Sequence, residues 1–191
     1  MIPFTESLRH AYPFGPQSVV VDVGAFTGGF AKTMHEKYKC IVLAFEPVKA
    51  HFEQASIACR EYPRINLFNC GLGSHFRTEM FGVQSDSSGV FAGSEVKEKV
   101  IILPIVDHLR QVYAAGKFDL LKLNCEGMEY EILESLIDHK ALTMFANIAA
   151  QFHTCAPDYQ KRYDSIAAAL SQTHELQWRE PFVWEGWTIR K

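Results

Sequence analysis

The sequence predicts a three-layer α/β fold, in which a mostly parallel sheet lies between helices and the chain closes with an antiparallel hairpin. Short apolar runs alternate with segments of helical periodicity, which is typical of parallel strands joined by crossover helices. The chain has 191 residues, 48% of them hydrophobic, which suffices for one domain with a buried core. We therefore expect residues 1–191 to form a single domain, with residues 1–17 as an N-terminal lead-in.

The first half of the chain predicts three strands separated by two helices. The strands are residues 18–23, 41–45 and 65–70, and the helices are residues 28–38 and 48–62. Each strand is a short apolar run, and the second helix ends before Pro63. Two further strands, at residues 78–83 and 100–105, flank a polar loop at residues 84–89. This loop is either a lid over a ligand or a solvated connection.

The second half of the chain continues the alternation of strands and helices. The predicted helices are residues 107–115, 128–137 and 158–173, and the strands are residues 118–124 and 144–152. Residues 176–178 and 182–189 form the closing hairpin, with a turn at residues 180–181. Its three tryptophans are expected to pack on the sheet rather than to form a substrate wall.

Composition argues against several classes of function. The formal net charge is −3, and no basic stripe indicates a nucleic-acid binder. The five cysteines form no CxxC pair, and no metal-ligand spacing is present. No run of about 18 apolar residues could span a membrane, and the amino terminus lacks the pattern of a signal peptide. We expect a cytoplasmic protein, monomeric or homo-oligomeric, that acts on a small molecule without a metal ion.

The stretch VVVDVGAFTGGF, residues 19–30, predicts a ligand-binding loop between a strand and a helix. Glycines let the backbone turn sharply and approach a ligand, and the helix start offers N–H groups to an anionic group. The candidate ligand-binding residues are Asp22, Gly24, Ala25, Phe26, Thr27 and Gly28. A dinucleotide site requires the spacing G-x-G-x-x-G, whereas G-x-x-x-G-G resembles the first motif of class I methyltransferases. A plain strand–helix turn is the alternative.

Glu46 ends the second strand and is followed by Pro47. An acidic residue about 20 positions after a glycine loop can accept hydrogen bonds from both hydroxyls of a ribose. Its two carboxylate oxygens suit a diol, because they accept two hydrogen bonds at once. The alternative is a solvated glutamate at a strand end.

A second dense motif is FDLLKLNCEGMEYEIL, residues 118–133. The strand places Lys122 and Asn124 on one face, and Asn124 lies at the carboxyl edge, where ligands bind in open α/β sheets. A lysine inside an apolar strand requires a partner, and Glu126 is the nearest one in the sequence. A structural ion pair that holds this turn is the alternative to a catalytic role.

His153 follows the strand at residues 144–152, at the same sheet edge as Asn124. With a pKa near its unperturbed value of about 6.5, an imidazole there suits removal of a hydroxyl proton. A partly buried, hydrogen-bonded histidine is the alternative. His153 is the first candidate base and Glu126 the second, with Lys122 positioning the reacting groups. The sequence suggests no function for the histidines at positions 51, 75, 108, 139 and 174.

Together these stretches resemble the FkbM family of methyltransferases. The resemblance runs from about residue 18 to about residue 153. It rests on DVGAFTGGF at residues 22–30, AFEP at 44–47, NCGLGS at 69–74, VDHL at 106–109 and LLKLNCEGMEYEIL at 120–133. It implies a Rossmann-like methyltransferase sandwich, S-adenosylmethionine as the cofactor, and methyl transfer to a hydroxyl of a sugar or secondary metabolite. It also implies that the turn at Asn69, Cys70 and Gly71 faces the adenine.

Asn124 departs from the family, which usually has aspartate at this position. Asparagine keeps an acceptor oxygen but loses the charge, so cofactor or substrate contacts can survive whereas a proton-accepting role is in doubt. Two other functions remain open. Asn124 keeps open a module that binds the cofactor without catalysis. The other is an NAD-dependent or nucleotide-sugar oxidoreductase on the same fold, against which the missing G-x-G-x-x-G spacing argues.

Overall fold

The computed structural model describes residues 2–83, 88–91 and 93–191. Its strands are β1 (Ile2–Pro3), β2 (Val19–Val23), β3 (Ile41–Phe45), β4 (Ile65–Phe68), β5 (Gly71–Gly73), β6 (Arg77–Gly82), β7 (Lys97–Pro104), β8 (Leu120–Leu123), β9 (Asn147–Ala150), β10 (His174–Glu180) and β11 (Trp184–Ile189). Its α-helices are α1 (Gly29–Tyr38), α2 (Lys49–Cys59), α3 (Ile105–Val112), α4 (Glu129–Asp138) and α5 (Tyr159–Thr173). Short 3₁₀ helices occur at Glu6–His10 and Leu142–Met144.

Eight strands form the main sheet, in the order β1-β10-β11-β9-β8-β2-β3-β4. The five strands from β9 to β4 are parallel, and β11 runs antiparallel to both β9 and β10. The predicted α/β fold with its C-terminal hairpin is thereby confirmed. The chain moves from β2 through β3 to β4 on one side, and then continues with β8 on the other side of β2. Ligands of open α/β sheets bind at such a switch point, beyond the carboxyl ends of the strands.

Both faces of the sheet are covered, which explains why its central strands are continuous apolar runs. Val19, Val21 and Val23 of β2 belong to one core cluster, together with Leu109 of α3, Leu133 of α4 and Leu170 of α5. The intervening Val20 belongs to a second cluster with Ala31 and Met34 of α1. The aromatic residues of the lead-in (Phe4, Tyr12 and Phe14) pack on this second cluster, where they cover the face beside α1.

Strands β5, β7 and β6 form a separate sheet, with β7 in the centre. The strand predicted at residues 65–70 therefore ends at Phe68, because the chain turns and begins the second sheet at Gly71. The strand predicted at residues 144–152 shortens to Asn147–Ala150 after a 3₁₀ turn. Of the predicted loop at residues 84–89, residues 84–87 lie outside the described residues, while Gly89 bridges to Gly82. Among the described residues, no helix is both long and apolar enough to cross a membrane.

Candidate active site

A cavity opens at the switch point of the main sheet. It is lined by Val23, Gly24, Phe26, Glu46, Pro47, His51, Gly71, Leu72, Phe81, Ser88, Ile102, Asn124, Cys125, Glu126 and Met128. The carboxyl ends of β2, β3 and β8 form its floor, and residues of the second sheet form a wall. Two carboxylates line it, whereas no lysine or arginine among the described residues does. The cavity therefore favours neutral or cationic ligands over phosphates.

The glycine loop is shaped by a close approach between the ends of β2 and β8. A Cβ atom on Gly24 would lie 1.8 Å from the carbonyl oxygen of Asn124, and Gly24 has a φ of +77°. Any other residue would push the two strand ends apart. Phe26 has a φ of +51°, a conformation that costs roughly 1–2 kcal/mol for a residue with a Cβ atom. This backbone directs the Phe26 N–H to Glu46, at 2.8 Å from Oε2.

Glu46 links the glycine loop to the start of α2. While Oε2 accepts the Phe26 N–H, Oε1 accepts the Val48 N–H at 2.9 Å. Burial raises the pKa of Glu46 to about 7, although these two backbone hydrogen bonds lower it. Each carboxylate oxygen has a second lone pair, so the group can still accept from a ligand in the cavity.

Lys122 pairs with Asp22 rather than with Glu126, its nearest acidic residue in the sequence. Its Nζ lies 2.8 Å from Asp22 Oδ1 and donates a hydrogen bond to Gly24 O, also at 2.8 Å. Asp22 is fully buried, and burial raises its pKa while Lys122 opposes that shift. Neither side chain lines the cavity. This ion pair therefore lies outside the cavity and stabilises the glycine loop through the hydrogen bond to Gly24.

Asn124 and Glu126 bring two acceptor groups into the cavity from the end of β8. Asn124 Oδ1 is buried and has no hydrogen-bond partner among the described residues, an arrangement that suggests a ligand donor at this position. Glu126 has a φ of +52°, and the next residue, Gly127, has a φ of +97°. This left-handed turn brings Glu126 into the lining of the cavity.

His153 lies behind Glu126, between two carboxylates. Its Nε2 is 3.3 Å from Glu126 Oε1, and its Nδ1 is 3.1 Å from Oε1 of the fully buried Glu129. Glu129 also accepts the backbone N–H groups of His153, at 2.7 Å, and of Gly127, at 2.9 Å. Burial lowers the pKa of His153, but the hydrogen bonds to Glu126 and Glu129 outweigh it and raise the pKa to about 9. A pKa this high differs from the expected value near 6.5, because the two carboxylates favour the cationic imidazole.

The cavity brings together seven of the residues singled out from the sequence, namely Gly24, Phe26, Glu46, Pro47, Gly71, Asn124 and Glu126. The predicted residues outside its lining are Asp22, Ala25, Thr27, Gly28, Asn69, Cys70, Lys122 and His153. Asn69 instead holds the loop after β3, because its Nδ2 donates to the carbonyl oxygens of Glu46 and Pro47 at 2.9 and 3.0 Å. Gly28 lies against α2, where an added Cβ would meet Cys59 Sγ at 2.8 Å.

Sequence reasoning missed His51 and the apolar wall of the cavity. Leu72, Phe81 and Ile102 come from the second sheet, and Met128 comes from the start of α4. Of these residues, only His51 could have been predicted to lie near the cavity, since it is in the first turn of the helix that follows Glu46. Across the described residues, no group of three or more His, Cys, Asp or Glu side chains could hold a metal ion.

Comparison with known proteins finds one family described as "Methyltransferase FkbM domain", which matches residues 22–154. "Methyltransferase 1" of Beauveria bassiana (strain ARSEF 2860) is 24% identical in a match that covers 71% of this chain and 65% of that protein. The chain therefore spans about two thirds of the length of this curated relative.

Solved structures share the fold. Methyltransferase FkbM from Methylobacillus flagellatus KT has a TM-score of 0.60 at 18% identity, over 93% of this chain and 45% of that one. A Podospora anserina methyltransferase solved with S-adenosylhomocysteine bound has a TM-score of 0.54 at 12% identity, over 91% of this chain and 72% of that one.

Proposed function

This chain belongs to the FkbM family of methyltransferases, which use S-adenosylmethionine, and we propose that it transfers the methyl group to a hydroxyl of a sugar or secondary metabolite. The observation that carries the proposal is the convergence of Glu46, Asn124 and Glu126 on one cavity at the switch point. We further infer that residues 1–191 act as one methyltransferase domain, since the main sheet includes both β1 and β11.

The residues of the cavity fit S-adenosylmethionine. Asn124 Oδ1 is a buried acceptor without a partner in the described chain, and the methionine part of the cofactor carries an ammonium donor. Glu46 retains acceptor capacity for the ribose hydroxyls. The cavity lacks a lysine or arginine among its described lining residues, which suits a cofactor without phosphates better than a dinucleotide. We therefore propose Gly24, Phe26, Pro47 and Gly71 as further cofactor contacts.

The geometry favours Glu126 over His153 as the group that accepts the hydroxyl proton. When bound, S-adenosylmethionine supplies a methyl group activated by the sulfonium charge. Glu126 lines the cavity, whereas both ring nitrogens of His153 face carboxylates. The Glu126 carboxylate would accept the proton of the acceptor hydroxyl as that oxygen takes the methyl group, and the cofactor, with its methyl–sulfur bond broken, would leave as S-adenosylhomocysteine. His153 and Glu129 hold that carboxylate in place, and Lys122 supports the glycine loop through Asp22.

The first experiment measures binding and transfer separately. Calorimetry with S-adenosylmethionine and S-adenosylhomocysteine tests the cofactor site, and a labelled methyl donor with a panel of sugars and phenols tests transfer. Transfer to a hydroxyl supports the proposal. Binding without transfer to any acceptor favours the non-catalytic module, and the absence of binding refutes the proposal.

Glu126→Gln tests the role of the carboxylate on any acceptor found in the panel. Loss of a general base lowers the rate by about 10²–10⁴-fold, and we expect kcat to fall in that range with little change in cofactor affinity. Glu134→Gln is the matched control, because Glu134 lies on α4, the helix that follows the turn at Glu126, and forms a partly exposed ion pair with Arg162. Full turnover in Glu126→Gln would mean that the proton leaves to solvent.

A further inference from the structure

His51 is a buried histidine in the wall of the cavity. It lies in the first turn of α2, and its side chain is only 9% exposed. Sequence reasoning found no function for it. Its position five residues after Glu46 nevertheless places the imidazole beside the carboxylate that faces the cavity.

The contacts of His51 leave its ring nitrogens available. Nδ1 lies 3.8 Å from Glu46 Oε1, which is too long for a hydrogen bond. The ring packs edge-on against Phe26, with 4.6 Å between centroids. In the part of the chain that the structure describes, neither ring nitrogen forms a hydrogen bond. Both nitrogens can therefore bond to a ligand in the cavity that His51 lines.

Glu46 Oε1 and His51 Nδ1 are close enough for one hydroxyl group to bond to both. An oxygen about 2.8 Å from each of two atoms can join them when they are 3.8 Å apart. Burial lowers the pKa of His51, although the charge of Glu98 opposes this shift, so the imidazole is neutral and carries one N–H. The bridging group must therefore donate to the carboxylate and accept from the imidazole. A hydroxyl does both.

We propose that His51 is a cofactor-binding residue that forms, together with Glu46, a two-sided site for one ribose hydroxyl of S-adenosylmethionine. This inference rests on the proposed function, because it assumes that the cofactor occupies the cavity. The hydroxyl donates its proton to Glu46 Oε1 and accepts the N–H of His51 Nδ1. Phe26 of the glycine loop orients the imidazole through the edge-on contact. His51 of α2 and Glu46 then bind the ribose together.

Substitutions at His51 separate the proposed hydrogen bond from simple packing. Phenylalanine keeps the ring against Phe26 but has no nitrogen. Asparagine places its amide nitrogen near the position of Nδ1, whereas glutamine places it near that of Nε2. A neutral hydrogen bond contributes about 0.5–1.5 kcal/mol, or about two- to tenfold in affinity. We expect His51→Phe and His51→Gln to bind S-adenosylhomocysteine about three- to tenfold more weakly, and His51→Asn to stay within about twofold of the unmodified protein.

Removing single hydroxyl groups from the ligand tests the same hydrogen bond. Calorimetry at pH 8 compares S-adenosylhomocysteine with its 2′-deoxy and 3′-deoxy analogues, and thermal unfolding without ligand checks that each variant is folded. For one analogue, the loss caused by His51→Phe should disappear, because the hydroxyl that His51 contacts is already absent.

Unchanged affinity in His51→Phe and His51→Gln overturns the proposal, as does failure of His51→Asn to restore binding. The proposal also fails if, for both deoxy analogues, the loss of affinity from His51→Phe adds to the loss from the missing hydroxyl. If the unmodified protein does not bind S-adenosylhomocysteine at all, the proposed function fails as well, so the two failures are distinguishable.

Discussion

Glu46→Gln is the substitution that best tests the cofactor site. The amide keeps the shape of the side chain but replaces one acceptor oxygen with a donor. Both oxygens of Glu46 already accept buried backbone N–H groups, from Phe26 and Val48. The amide nitrogen must therefore face one of these donors, and one acceptor for the ribose is lost. Since hydrogen bonds to charged groups contribute about 1.5–3 kcal/mol, affinity for S-adenosylhomocysteine should fall by at least about tenfold.

The pH dependence of the dissociation constant gives a second, independent test of Glu46. Burial raises the pKa of Glu46 from its ordinary 4.5 to about 7, and only the ionised carboxylate accepts from both hydroxyls. If binding requires that form, the dissociation constant of the unmodified protein is about tenfold higher at pH 6 than at pH 8. Glu46→Gln should change less than about twofold over the same range, because the group that titrates is gone.

The unliganded protein should show the opposite trend in stability. An acid whose pKa is raised on folding binds its proton more tightly in the folded state. The contribution of Glu46 to the free energy of unfolding therefore falls as the pH rises from 4.5 to about 7. Glu46→Gln should remove this part of the pH dependence, as measured by urea unfolding at pH 5 and pH 8.

Glu53→Gln is the control for these measurements, because Glu53 lies on α2, the helix that follows Glu46, and its side chain is 60% exposed. Its affinity and pH dependence should match those of the unmodified protein. If the unmodified protein binds equally well at pH 6 and pH 8, or if Glu46→Gln retains full affinity, Glu46 does not contact the ribose.

Three further predictions concern the groups around the cavity. Lys122→Met leaves the charge of Asp22 buried without a partner, so the free energy of unfolding in urea should fall by about 3–5 kcal/mol. A loss below about 1 kcal/mol would contradict this, and the double variant with Asp22→Asn should recover part of the stability. NMR titration should place the pKa of His153 at about 9, and Glu129→Gln should lower it. A pKa near 6.5 in the unmodified protein would contradict the stabilisation of the cationic imidazole by Glu126 and Glu129. Calorimetry with NAD should show no binding, because the described lining of the cavity offers no cation to a pyrophosphate.

The residues at the floor of the cavity could be predicted from the sequence, because each lies close to the end of a strand that is recognisable from a short apolar run. Gly24 and Glu46 each follow directly after a recognisable strand, and parallel strands end at one edge of the sheet. Asn124 and Glu126 follow β8 in the same way. For these residues, the order of strands and polar residues along the chain was enough to predict that they converge.

The partner of Lys122 was not predictable from spacing. Asp22 and Lys122 are in register on adjacent parallel strands, 100 positions apart in the sequence. The contact exists because β8 pairs with β2 across the switch point, and strand order follows from how the whole sheet packs. Sequence spacing offered only Glu126, four residues away, which is turned towards the cavity instead.

The sequence by itself determined the class of fold, the family and the strand ends from which the cavity is built. These depend on periodicity and on motifs shorter than one strand–turn–helix unit. The tertiary structure alone decided that His51 faces the cavity, that His153 is a cation between two carboxylates, and that the second sheet supplies the apolar wall. Each of these depends on burial and charge contributed by segments distant in the chain, because a side chain's pKa and accessibility are set by its surroundings in the folded protein.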